Sequence, residues 1–211
     1  MLKKLLFLFP IGLLMLVPSA KADTIGPSCG SCMGSSYTLN YETTADPTVF
    51  NIFLKIDTTD FTGPATDYLN SVSLKLVSQS SSIDSVTLLS PLSDGFGTTI
   101  AGGLSAQGCS GNGGGFFCSE SADKGLLVGG IYTFEWQLAL TDPNKLFTGI
   151  DQASVKALYV TSKGKQNGIT SEEITLDPST PASPVPEPSS LMLFGTGVVG
   201  FAAAMRRKLM A

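Results

Sequence analysis

Four cysteines and no histidine bound the chemistry this chain can offer. Without histidine, Ser-His-Asp and Cys-His catalysis, His-ligated catalytic zinc and c-type haem attachment are excluded. Cys29 and Cys32 form a C-x-x-C pair, whereas Cys109 and Cys118 bracket a glycine-rich stretch from Ser110 to Phe117. The expected arrangement is two local disulfides, Cys29 with Cys32 and Cys109 with Cys118. Each closes a short loop and so should stabilise by less than the roughly 3 kcal/mol of a 15-residue loop. A redox role for Cys29 and Cys32 would need a strand-to-helix junction, and the pair instead precedes the first plausible strand. A four-cysteine zinc site would want a second C-x-x-C. Intermolecular pairing also stays open, because connectivity among four cysteines is not readable from sequence.

Carboxylates are the other candidates for chemistry. Asp57, Asp60, Asp67, Asp84, Glu172 and Glu173 are scattered, and glycosidase work needs two carboxyls at a defined separation across a cleft. Glu135 lies on the polar face of its own strand, where a solvated charge is the plain explanation. No D-x-[DN]-x-[DN]-G calcium string occurs. Two glycine patterns mislead. Gly111 to Gly115 lacks the Gly-Lys-Ser/Thr of a phosphate cradle, and Gly195-Thr196-Gly197-Val198-Val199-Gly200 has no room for a βαβ unit before Ala211. No catalytic residue, cofactor or metal ligand is assigned.

The elements that must position these residues read as strands. Phe50, Ile52, Leu54 and Ile56 alternate with Asn51, Phe53, Lys55 and Asp57. Val72, Leu74 and Leu76 alternate with Ser71, Ser73, Lys75 and Val77. Tyr132, Phe134, Trp136, Leu138 and Leu140 alternate with Thr133, Glu135, Gln137, Ala139 and Thr141. Period two marks half-buried strands. Further candidates are Tyr37 to Tyr41, Ile83 to Leu89, Val155 to Val160 and Ile169 to Leu176. Turns are expected at Asp46-Pro47, Gly63-Pro64, Ser93-Asp94-Gly95, Asp142-Pro143-Asn144 and Asn167-Gly168. The fold class is therefore all-β: an antiparallel β-sandwich of about seven to nine strands over residues 35–177. Trp136 is expected in its core.

Both ends of the chain carry export signals. Lys3 and Lys4 precede an apolar run from Leu5 to Val17, and Ala20 and Ala22 stand where a signal peptidase reads. Residues 1–22 are thus expected to be a signal peptide, cut between Ala22 and Asp23. Residues 23–34 form a loop holding the C-x-x-C. At the other end, residues 178–188 are a proline-rich spacer, which stays extended because prolines lack amide donors. Residues 190–205 are expected as a transmembrane helix, followed by a basic stop at Arg206, Arg207 and Lys208. The apolar run from Leu191 to Met205 reaches only about 22 Å as a helix, so flanking residues or bilayer thinning must supply the rest.

Val185-Pro186-Glu187-Pro188-Ser189-Ser190, an apolar helix with a glycine-rich middle, and Arg206-Arg207-Lys208 together resemble the PEP-CTERM sorting signal. The likeness covers residues 185–211. Such tails occur on exported proteins of Gram-negative bacteria, many of them exopolysaccharide producers. The resemblance implies that a membrane-embedded exosortase recognises Pro186-Glu187-Pro188, removes the tail and passes the protein to the surface or the medium. Membrane anchoring through the helix would be transient. Gly108 to Gly113, Cys118, Tyr132 to Leu140 and Gly164 to Glu172 also resemble uncharacterised ectodomains of PEP-CTERM proteins, and this second likeness bears on fold alone.

Removing Lys3, Lys4, Lys21, Arg206, Arg207 and Lys208 leaves 7 of 13 basic residues against 17 acidic ones, a net charge near −10. That sign excludes nucleic acid as a partner, since its binding rests on neutralising phosphates. Three functions remain. The first is a non-enzymatic surface or matrix protein associated with exopolysaccharide. The second is a carbohydrate- or calcium-binding adhesive module, and the third a secreted hydrolase with a carboxylate pair.

Overall fold

Strands with one apolar face must cover it, and this chain does so by stacking two sheets. The computed structural model describes residues 23–91, 95–110 and 113–179. In chain order the strands are β1 (Thr24–Ile25), β2 (Ser36–Thr43), β3 (Val49–Asp57), β4 (Tyr68–Lys75), β5 (Ile83–Ser90), β6 (Phe96–Ala101) and β7 (Gly103–Ser105). They continue with β8 (Gly108–Ser110), β9 (Phe116–Ser121), β10 (Leu126–Leu127), β11 (Ile131–Leu140), β12 (Ala153–Val160), β13 (Gln166–Ile174) and β14 (Asp177–Pro178). One sheet has the order β1-β2-β3-β11-β5, with β14 also on β2. The other has the order β13-β12-β4-β9-β6, with β10 also on β4. Strands β7 and β8 form a separate hairpin.

The all-β antiparallel expectation holds, with one parallel pair, β14 on β2. Five of the fourteen strands are three residues or shorter, and the nine longer ones fall within the expected range. Register explains the core. Trp136 lies opposite Ile52 on one side and Leu88 on the other, and Phe134 lies opposite Leu54. All of these side chains are buried. Trp136 is fully enclosed, as expected, and its indole Nε1–H donates to Ser119 Oγ of the facing sheet at 2.8 Å.

Three expectations need correction. Strands β6 and β9 carry no clean alternation, because β9 buries both faces: Phe117 joins the central core and Cys118 a second one. Strand β4 is likewise two-faced, for Ser71 and Ser73 are as buried as Val72 and Leu74. The cause is the β7–β8 hairpin, which packs against β4, β9 and β12 on the outside of their sheet. Leu104, Cys118, Leu158 and Val160 form the second core beneath it. Finally, Asn167-Gly168 is no turn but lies inside β13. The chain reverses earlier, where Thr161 N–H donates to Lys165 O and Gly164 takes φ 73°. Gly168 serves a close approach instead, since a Cβ there would strike the Met33 side chain.

Among the described residues no helix is long and apolar enough to cross a membrane. The expected signal peptide 1–22 and transmembrane helix 190–205 lie outside those residues.

Candidate functional site

The two ends of the described residues meet on one strand edge. Strand β3 occupies one side of β2, and the other side is shared end to end by β1 and β14. Thr24 and Ile25 pair antiparallel with Thr38 and Tyr37, while Asp177 and Pro178 pair in parallel with Asn40 and Tyr41. At the joint, Asp23 N donates to Asp177 Oδ2 at 2.8 Å. One residue further, Ser179 N donates to Tyr41 O at 2.7 Å. The root of the tail is therefore held by backbone pairing, and a surface groove lined by Tyr41, Glu42, Thr43, Pro178 and Ser179 lies at its exit. Asp23, expected as the first residue after cleavage, is described. Ala22, Val185, Pro186, Glu187, Pro188, Arg206, Arg207 and Lys208 lie outside the described residues.

Cys29 and Cys32 are joined, with Cα atoms 5.3 Å apart, in the turn between β1 and β2. Ser31, inside that turn, is tied to β13. Its N–H and Oγ–H both donate to Glu172 Oε1, at 3.1 and 2.6 Å. Its carbonyl accepts from Thr170 Oγ1 at 3.1 Å, and its Oγ accepts from Ser171 N at 3.0 Å. The turn thus lies across the outer strand of the opposite sheet. An uncovered outer strand is a template for pairing with another chain, so this cover has structural value. The ligand atoms of Cys29, Cys32 and Glu172 lie within 4.8 Å of one another. Thiolates would be the donors to a metal, and here the two sulfurs are bonded to each other.

Beneath the turn sits a buried hydroxyl network. Tyr37 shares hydrogen bonds with Tyr159 at 2.8 Å and with Thr170 at 3.0 Å, and Tyr159 donates to Ser35 Oγ at 2.9 Å. Burial pushes the Tyr37 phenol above its ordinary pKa. The Tyr159 phenol is raised well above the usual value, first by burial and then by Tyr37 beside it. Sequence reading missed this network and the Glu172 contact. Partners more than a hundred residues apart leave no local signal.

The second disulfide, Cys109 with Cys118, joins β8 to β9 at a Cα separation of 5.6 Å. It pins the outer hairpin over the second core, and Glu120 Oε2 accepts from Cys109 N at 2.9 Å alongside it. Both disulfides are paired as expected. Replacing Cys109 and Cys118 together with serine should lower unfolding free energy by about 2–3 kcal/mol, the loop-closure value for so short a loop. Urea unfolding of the unreduced proteins measures this. An unchanged midpoint would mean that the hairpin needs no staple.

The candidate carboxylates do different things in different places. Asp57 accepts from Thr59 N and Oγ1, which holds its carboxyl below the usual range. That is opposite to the raised value a general acid needs. Asp67 is buried and accepts from Asn167 Nδ2. Glu172 is engaged by Ser31, whereas Asp60, Asp84 and Glu173 are exposed. Glu135 is half-buried on the outer face of β11, opposite Phe53. A polar groove of about 290 Å³ on the other sheet includes Asn70, Gln107, Glu120, Asp123, Lys124 and Gln166, none of them among the expected site residues.

A family model of the PEP-CTERM protein-sorting motif matches residues 184–208. No curated protein matches the chain. Among solved structures, the chain is similar to an uncharacterised protein from Nocardia farcinica with an immunoglobulin-like fold. That match has 10% identity, covers 63% of this chain and 82% of that one, and has a TM-score of 0.36. A GH20 exo-β-N-acetylglucosaminidase from Vibrio harveyi aligns at 12% identity over 66% of this chain and 18% of the enzyme, with a TM-score of 0.32. The collagen-binding subdomain ACE19 of the Enterococcus faecalis surface protein ACE aligns at 10% identity over 66% and 93% of the two chains, with a TM-score of 0.30. At such scores these likenesses carry no argument about ligand or activity.

Proposed function

We propose that this chain, which carries a PEP-CTERM protein-sorting motif at residues 184–208, is an exported, non-enzymatic surface or matrix protein. Its signal peptide is cut between Ala22 and Asp23, and an exosortase-like enzyme removes the tail after the Pro186-Glu187-Pro188 element. Until then the apolar helix anchors it in the membrane. Exopolysaccharide is the partner at its destination. The observation that carries the reading is the sorting motif. Two disulfides support it, because such bonds persist in oxidising compartments. The non-catalytic part is supported by the engagement of Asp57, Asp67 and Glu172 in structural hydrogen bonds.

The test is the intact mass of the protein recovered from its native host without reduction. The expected species begins at Asp23, ends near Pro188 and has both disulfides closed. A mass that retains residues 191–211 would mean a plain single-span anchor and would sink the sorting reading. Co-sedimentation with the host's exopolysaccharide tests the partner, and protein left wholly in the supernatant would remove it.

A further inference from the structure

We propose that the polar groove on the outer face of the β13-β12-β4-β9-β6 sheet holds a neutral polysaccharide, with Glu120, Asp123, Lys124 and Gln166 hydrogen-bonding to its hydroxyls. The inference deepens the reading that exopolysaccharide is the partner, and it rests on that reading.

The groove exists because separate parts of the chain converge on this face. Ala106 and Gln107 come from the β7–β8 turn, Asp123 and Lys124 from the β9–β10 turn, and Gln166 from the start of β13. Leu158 and Val160 of the second core supply its apolar lining. These parts are fixed before any ligand arrives. The Cys109–Cys118 disulfide pins the hairpin. Asn70 Nδ2 donates to Asp123 O at 3.3 Å, Asp123 N to Ser121 Oγ at 3.1 Å and Ala122 N to Gly95 O at 3.1 Å, which sets the β9–β10 turn. Glu120 Oε2 accepts from Cys109 N at 2.9 Å, and Gly108 makes room for the carboxyl, since a Cβ there would strike it. A lining held in this way loses little freedom on binding.

Hydrogen-bonding capacity is left over where a ligand would lie. Among the described residues, Glu120 Oε1, the Asp123 carboxylate, the Lys124 ammonium and the Gln166 amide have no hydrogen-bond or ion-pair partner. Acceptors and donors thus stand side by side next to aliphatic surface. A sugar ring needs that combination, because each hydroxyl both donates and accepts while its C–H faces are apolar. Charge selects the kind of glycan. Two carboxylates, Glu120 and Asp123, against one ammonium, Lys124, leave the groove at −1 in an acidic domain. A uronate, sulfate or phosphate group would be repelled there. The volume of about 290 Å³ is at the small end for a ligand site, which fits one ring of a longer chain.

The test is co-sedimentation of the mature protein from its native host with the host's exopolysaccharide, split by anion exchange into neutral and acidic fractions. Wild type should sediment with the neutral fraction, and equally well at low and high salt, because no ion pair with the ligand is involved. Asp123→Ala with Gln166→Ala should weaken association about tenfold, the loss of two hydrogen-bonding groups of which one is charged. Both side chains are exposed, so the urea midpoint of this variant should match wild type. Glu120→Gln keeps an acceptor for Cys109 N and removes the charge, so association should weaken about threefold. Glu135→Gln, on the outer face of the other sheet, should bind as wild type does. Wild-type binding by both groove variants would overturn the site, and sedimentation with the acidic fraction alone would overturn the neutral ligand. Wild type that sediments with neither fraction would instead bring down the exopolysaccharide reading itself, so the failures are distinguishable.

Discussion

Trp136→Ala should destabilise the ectodomain by about 3–5 kcal/mol, the range for deleting a large aromatic from a packed core. Trp136 has no solvent exposure and comes from β11, an interior strand flanked by β3 and β5. It stacks on Phe134 at 5.5 Å and meets Phe117 of the facing sheet edge-on at 5.6 Å. Its indole also bonds Ser119 across the sandwich, and Ser119 in turn bonds Thr99 Oγ1 at 2.7 Å. Truncation therefore opens a cavity between the sheets and takes one of two partners from the buried Ser119 hydroxyl. Trp136→Phe keeps most of the apolar contact and loses only the hydrogen bond, so a smaller loss of about 1–2 kcal/mol is expected. Urea unfolding followed by far-UV circular dichroism measures both. If the two variants are equally destabilised, the cavity is not the dominant cost.

Alkaline unfolding should be unusually steep, and Tyr159→Phe should flatten it. Tyr37 and Tyr159 are fully buried with their hydroxyls 2.8 Å apart, and both phenols are raised above their unfolded value. The folded chain holds these protons to higher pH than the unfolded chain does. Their stabilising contribution is thus complete below the unfolded phenol pKa of about 10 and is lost as pH rises through the folded values. Each retained proton contributes a slope of about 1.4 kcal/mol per pH unit, so two give about 2.7. Tyr159→Phe removes one titrating group and halves that slope. It also costs about 1–2 kcal/mol at neutral pH, by taking one partner each from Tyr37 and Ser35. Urea midpoints from about pH 7 to 11.5 give both quantities. An identical slope in the variant would refute the assignment.

Seven of the nine longer strands were legible because their inward apolar residues recur at a period of two, even in β4, whose second buried row is serine. The β3 and β11 alternations predicted their inward rows residue by residue, Trp136 included. β6 and β9 were not legible, for the opposite reason. With the central core on one side and the pinned hairpin on the other, β9 has no polar face to alternate with. Gly168 shows the same limit at one residue. A glycine after asparagine reads as a turn, but here it makes room for Met33, which lies far away in the chain.

For the candidate site the division is sharper. The sorting motif at residues 184–208 is one contiguous stretch, so it is written wholly in local sequence. Pairing each cysteine with its nearest partner was the expectation from spacing, and the structure decided the connectivity. Composition alone excluded histidine chemistry. Only the tertiary structure set Glu172 against Ser31, buried two tyrosine hydroxyls against each other, and laid both ends of the described residues on the edge of β2. Those contacts join residues 12 to 141 positions apart. Their existence depends on sheet order and register, which emerge when the whole chain packs, and no short window of sequence contains them.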